Sequence, residues 1–548
     1  MDPDNTTLNQ KRLIATVITH ELAHQWFGDL VTMKWWDDLW LNESFANMME
    51  YVAVDALEPE WNVWEMFQTS EVPIALQRDA TDGVQSVHVA VDDPAEIDTL
   101  FDGAIVYAKG ARMLVMVRAL LGDDAMRRGL KNYFAAHQYG NATGADLWQA
   151  LGEASGMNVG QIMESWLEHP GYPVVEVKVE DGKLMLSQQQ FFIGDGEEKS
   201  RLWQIPLNAN YNQAPAIFSE QSLVLGDYAQ LRKQNGRPFR VNVGDNSHVI
   251  VKYDETLLND ILDHLDELGA IDQLQLLQDL RLLAEGRQIS YAQIVPLLSR
   301  FKDSRSGIVN EMLYMWLTVS KTLYQPAAKT ERQLQQLFDQ LSVKQVQRLG
   351  WLSQKDESND DQLTRPIVLS AALYAQNRDT IKQAQALFDQ YQDHLADLPA
   401  DVRGLVLANE VKNYGSQELF DTLLADYQKT ADAGFKQDIC AALTKTQDDQ
   451  LIAQLIDRFE DADTIKPQDL RAWFRGVLAN DHGQQAAWDW IQQEWSWLEK
   501  TVGGDMEFPT YITVISRIFK TSQRLAEFKR FFTPKEKRPN AETRNSNG

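Results

Sequence analysis

His20-Glu21-Leu22-Ala23-His24 carries the chemistry of this chain, and Gln25-Trp26-Phe27-Gly28-Asp29 follows it directly. On a helix, His20 and His24 stand four residues apart and project from one face, so both imidazoles can hold a single metal ion. Glu21 lies one position on, close to that ion without needing to ligate it, and is placed to take a proton from water. Asn5, Thr6 and Thr7 offer caps for such a helix. Leu13, Val17, Leu22 and Phe27 offer its apolar positions, and Gly28 a stop.

A catalytic zinc commonly has three protein ligands and one open position. In Trp40-Leu41-Asn42-Glu43-Ser44-Phe45-Ala46, Glu43 follows His24 with eighteen residues between them. Leu41, Phe45, Met48 and Met49 recur at helical spacing and predict a second helix that presents Glu43 inward. Ala23, Trp26, Phe27, Trp35, Trp36 and Trp40 make the neighbourhood apolar, where charged groups need a partner or a metal. His88, His137 and His169 have no helical partner at metal spacing and read as ordinary histidines.

Composition limits the alternatives. A chain of 548 residues exceeds what one core organises, so two to four domains are expected. Basic residues number 52 against 79 acidic, a net charge of −27, which repels phosphate backbones and anionic lipid. Nucleic acid and membrane are therefore not expected partners. The polar, acidic start lacks the basic region of a signal peptide, and no apolar stretch approaches the roughly 20 residues of a membrane span. A cytoplasmic location is the expectation. Cys440 is the only cysteine, which excludes an intrachain disulfide and reads as a small buried apolar residue.

Along the chain the hydrophobic period changes twice. Residues 1–172 read as helical, with Ala111 to Leu121 and Ile162 to Leu167 as examples. At Pro173 the period drops to two: Val175, Val177 and Val179 alternate with charged residues, and Asp181-Gly182 signals a hairpin into Leu184 and Leu186. Further strands are expected around Trp203 to Ala209, Phe239 to Val243 and Val249 to Tyr253, giving a small β-sandwich over 173–253. Helical periods return over 254–532, where Leu276, Leu277, Leu280, Leu283 and Ala284 predict a helix burying one face. Successive helices there suggest an α-solenoid of the HEAT or armadillo kind. Trp488, Trp490, Trp495 and Trp497 read as packing residues, and 533–548 as a disordered tail.

The series H-E-L-A-H-Q-W-F-G-D, W-L-N-E-S-F-A and Val106-Tyr107-Ala108-Lys109-Gly110, a Y-x-K-G element, resembles the gluzincin zinc metallopeptidases of the aminopeptidase N family. The likeness is nearest to the family's bacterial cytosolic, broad-specificity branch and covers all but the tail. It implies the helical part of a thermolysin-like zincin catalytic domain, one Zn2+ per chain and peptide substrates. It makes His20, His24 and Glu43 the zinc ligands, Glu21 the general base that activates the zinc-bound water, and Tyr107 the oxyanion donor.

The family's G-x-M-E-N element, which recognises the substrate amine, does not occur in the nineteen residues ahead of His20. The expectation is therefore a chain that begins inside its catalytic domain, with the missing N-terminal portion of the same enzyme as a partner and an apolar face left exposed. Two alternatives stand beside an aminopeptidase. One is a catalytically idle metal-binding remnant or helical-repeat binding module. The other is a different hydrolase on the same scaffold, such as the family's epoxide-hydrolysing relative. The intact Glu21 and Tyr107 favour the aminopeptidase.

Overall fold

Residues of helical period make up most of the chain, and the computed structural model, which describes residues 5–197, 199–323, 328–505 and 508–536, is mostly helical. Two compact units divide it: Leu8–Trp316, and the residues from Leu317 onward together with the first seven.

The first unit starts with α1 (Leu8–Ala23), a short strand β1 (Val31–Met33) and α2 (Trp40–Leu57). α2 buries Leu41, Phe45 and Met48 as their spacing predicts, with Trp40, Tyr51 and Val54 beside them. α1 carries the exposed apolar face that was expected. Leu13, Val17 and Leu22 are 55%, 52% and 54% exposed, and Ile14, Ile18 and Trp26 lie open with them. α1 instead buries Arg12, Thr16 and Ala23, because its small and polar side faces α2, with Arg12 bonded to the Trp61 carbonyl and Thr19 to that of Glu50. Asn5 does not cap α1. Its side chain bonds the Ala396 and Leu398 carbonyls and the Ala400 N–H, all within the second unit.

The unit continues through α3 (Val63–Asp79), a π-helix (Gly103–Lys109), α4 (Gly110–Leu121), α5 (Asp123–His137), β2 (Gly140–Ala142), α6 (Gly144–Ser155) and α7 (Val159–Leu167). β1 and β2 pair in parallel. Then come β3 (Pro173–Glu180) and β4 (Lys183–Gln190), antiparallel with Val177 opposite Leu186. Asp181 and Gly182 both take positive φ, 48° and 76°, as a tight two-residue hairpin turn requires.

β5 (Ile205–Pro206) pairs only with β6 (Ile217–Phe218), while β7 (Ser222–Asp227) and β8 (Ile250–Tyr253) complete a four-stranded sheet of order β7-β4-β3-β8. The strand expected over Phe239–Val243 does not form. Asn242 sits at φ 56° and turns its side chain onto Asp245 and Ser247, and the Val241 N–H donates to the Tyr253 hydroxyl instead of a neighbouring strand. Of two later helices, α8 (Tyr228–Asn235) and α9 (Glu255–Asp263) precede α10 (Ala270–Glu285). α10 was expected to bury one face, yet every residue from Leu274 to Ala284 is buried. Two of its polar residues find partners there: Asp279 accepts from the Val251 N–H at 3.0 Å, and Arg281 donates to Glu285 at 2.8 Å.

The second unit is helical among the described residues, from Ala328–Leu349 to Ser522–Glu536, around a core that includes Trp351, Leu369, Leu407, Trp473 and Ile491. Trp488, Trp490 and Trp495 are buried in that core and Trp497 packs against it, as expected of packing residues. Cys440 is buried, and burial pushes its thiol up to about 12. The expected tail lies outside the described residues from 537 on, and helix runs to Glu536. No described helix is long and apolar enough to cross a membrane.

Candidate metal centre

α1 ends at Ala23, one residue short of His24, but the His24 N–H still donates to the His20 carbonyl at 3.3 Å. The helical relation of the two histidines therefore survives the helix end, and their rings stand 4.9 Å apart. Gly28 then reverses the chain at φ 143°, where a Cβ would lie 3.2 Å from the His24 carbonyl. Only glycine takes that turn without strain.

Each imidazole is oriented through Nδ1. His20 Nδ1 donates to Glu50 Oε2 at 2.9 Å, and His24 Nδ1 to the Phe27 carbonyl at 3.1 Å. Both acceptors lack hydrogens, so each ring carries a proton on Nδ1, and Nε2 is the nitrogen that would turn its lone pair to a metal. The two Nε2 atoms face Glu43 Oε2 at 3.6 and 3.5 Å. Glu43 lies in the first turn of α2, and Glu50 follows seven residues later on the same face.

The electrostatics favour a cation here. Burial lowers the pKa of His20, but Glu43 and Glu50 outweigh it and raise the value to about 9. His24 is raised, chiefly by its bond to Glu43. Burial pushes Glu43 up, yet hydrogen bonds from His20, His24 and Tyr107 hold it down at about 2. Glu50 is raised by burial against the pull of His20.

Tetrahedral zinc at metal–ligand distances of about 2.0–2.2 Å needs donor atoms roughly 3.3 Å apart. Two imidazole nitrogens and one carboxylate oxygen at the spacings above fit it with small adjustment. The orienting carboxylate behind His20 is the usual outer support of a metal-bound histidine.

Tyr107 reaches the same place from the π-helix. Its ring stacks on that of His20 at 6.2 Å and its hydroxyl bonds Glu43, while burial raises its pKa. π-Helical turns are rare and concentrate at functional sites. This one presses on α2: Ser44 Oγ donates to the Val106 carbonyl at 2.5 Å, and a Cβ on Gly110 would run into Ser44 Oγ and lie 2.7 Å from its Cβ. The glycine of the Y-x-K-G element is there because the residue after Glu43 occupies its side-chain space. Glu21 is exposed on α1, near enough to Tyr107 for its charge to raise the phenol's pKa.

Sequence reasoning thus named the residues that meet here and missed Glu50, Ser44 and the Phe27 carbonyl. The seven-residue spacing of Glu43 and Glu50 was the only signal for the first. A second group, Asp37, Asp38 and His88, also clusters, beside a cavity of about 630 Å³. There Asp38 already accepts from Trp40 Nε1 and the Gly144 N–H, and His88 lies 2.9 Å from Glu168, a satisfied histidine as expected.

The Peptidase family M1 domain matches residues 1–166, and the ERAP1-like C-terminal domain matches residues 239–546. Aminopeptidase N of Lactobacillus delbrueckii subsp. lactis is 60% identical over 536 residues, 98% of this chain and 64% of the relative. Aminopeptidase N of Lactococcus lactis subsp. cremoris (strain MG1363) is 47% identical over 537 residues, and Aminopeptidase M1 of Arabidopsis thaliana 31% over 569, covering 98% and 99% of this chain and 63% of each relative. The chain spans a little under two-thirds of the length of these relatives. With one domain matched over more than half of its residues and the other running through the helices of the metal centre, the chain belongs to the M1 peptidases of the aminopeptidase N family.

Proposed function

We propose that this chain carries the catalytic centre of a zinc-dependent aminopeptidase that removes N-terminal residues from peptides. The observation that carries the reading is the pair of imidazoles locked through Nδ1, with both Nε2 atoms facing one carboxylate oxygen. In this reading His20, His24 and Glu43 hold one Zn2+, which when bound polarises the scissile carbonyl and makes water more acidic.

The chain's own residues do the rest. Glu21 takes a proton from the attacking water as its oxygen bonds the carbonyl carbon, and then passes that proton to the amine nitrogen as the tetrahedral adduct collapses and the C–N bond breaks. Tyr107 donates a hydrogen bond to the oxyanion, a contribution of about 2.7–4 kcal/mol to the barrier where such a donor has been removed. Glu50 keeps the His20 proton on Nδ1 and the ring aimed.

The finer architecture belongs to the same proposal: a zincin helical portion over 1–172, a β-sandwich over 173–253 and an α-solenoid over 254–532. The alternating burial of Val175, Val177, Leu184 and Leu186 supports the second of these. A role in cytoplasmic peptide turnover fits the acidic charge.

The test is hydrolysis of a leucyl- or lysyl-anilide with zinc content measured in parallel. Glu21→Gln should keep about one zinc per chain and lose most turnover, whereas His24→Ala should lose both, and a chelator should abolish cleavage. Normal cleavage by Glu21→Gln would remove the general base from this scheme.

A further inference from the structure

Tyr107 and Lys109 stand two residues apart on the π-helix, so they leave it on different sides. Tyr107 meets the metal centre, while Lys109 enters a chamber where neither it, Asp79 nor His248 exposes any side-chain surface. The end of α3 grips the π-helix at both ends through two consecutive residues. Arg78 Nε donates to Asp102 Oδ2 at 3.3 Å, and Asp102 in turn caps the π-helix by accepting from the Ala104 N–H at 2.8 Å. Asp79 Oδ2 then pairs with Lys109 Nζ at 2.8 Å, at the last residue of the π-helix.

Every partner of that pair is directional. Asp79 Oδ1 accepts from the Gly171 N–H at 2.9 Å, and Oδ2 accepts also from His248 Nε2 at 3.0 Å. Lys109 Nζ donates to the His169 and Gly171 carbonyls at 3.4 Å each. A buried ion pair of this kind adds little net stability over an apolar pair of the same shape. What it does supply is a fixed direction, and a rare backbone turn persists only where its surroundings over-determine it.

We propose that Asp79, Lys109 and His248 are positioning residues for Tyr107, holding the π-helix at the register that aims the phenol at the metal centre. The inference rests on the reading of Tyr107 as oxyanion donor. Loss of the clamp lets the turn relax and moves the hydroxyl away from the reacting carbonyl, leaving zinc and its ligands in place.

The test uses the zinc-loaded protein and a leucyl-anilide. Asp79→Asn combined with Lys109→Met removes both charges at nearly constant shape and strands neither. Bound zinc and KM should stay unchanged, while kcat falls about ten- to a hundredfold, the scale of a misplaced catalytic group. In a Tyr107→Phe background the same pair should change kcat no further. His248→Phe, which keeps ring volume and drops the donor, should show the same pattern and carries the test if the pair variant does not fold. An unchanged kcat in these variants, or an equal fall in both backgrounds, overturns the positioning role alone. Unchanged kcat in Tyr107→Phe by itself overturns the oxyanion reading and the positioning role with it.

Discussion

Glu50 accepts the Nδ1 hydrogen bond of His20 from inside α2, and the energetic weight of that contact can be read in metal affinity. Glu50→Gln keeps an acceptor oxygen but loses its charge, so the dissociation constant for zinc should rise about ten- to a hundredfold. Competition against a chromogenic chelator measures this, and an unchanged constant would leave Glu50 without a part in the site. The residues that sequence alone brings out are those whose relation is local. His20 and His24 are fixed by one turn of helix, and Glu43 by a spacing within a short apolar stretch. Glu50 stood on the right face, but it is one of 79 acidic residues and nothing local distinguishes it. The Phe27 carbonyl has no side-chain signature at all, and only the folded chain brings it to His24 Nδ1.

Among the elements, the contact of α2 with the start of α4 ties Glu43 to the phenol of Tyr107. Gly110 and Ser44 touch with no space for a methyl group, and Ser44 Cβ cannot swing aside as a flexible chain end would. Gly110→Ala should therefore cost about 1–3 kcal/mol of stability, the scale of overpacking. It should also weaken zinc binding, because the backbone beside Glu43 must move. Chemical denaturation with a parallel zinc titration checks both, and a stable variant of normal affinity would show that the two helices part easily. Helix α2 was legible because its apolar period is strict. Helix α1 keeps its apolar stripe, Leu13, Val17 and Leu22, outside, while Arg12, Thr16 and Ala23 on its other side are the residues that pack. The strand expected at Phe239–Val243 failed because a polar turn, Asn242 bonded to Asp245 and Ser247, interrupts an apolar run that periodicity alone reads as extended.

At the scale of the molecule, the change of period at Pro173 and its return after Tyr253 were visible in sequence because core-facing residues must alternate with the element's geometry. The number and pairing of strands were not, since β3 and β8 join in parallel although residues 181–249 lie between them. The open face of α1 has a practical consequence for anyone following folding by fluorescence. Five large apolar side chains lie in the open on this one helix, and Trp26 lies open just beyond its end. A hydrophobic dye such as anilinonaphthalene sulfonate should brighten on the fully native protein, a signal usually taken for a molten globule. Val17→Gln with Leu22→Gln should dim it while the near-ultraviolet circular dichroism of the buried tryptophans stays as it was. Dye emission would then report a surface of the native state, and its loss on heating would mark the melting of α1, the reverse of the usual reading.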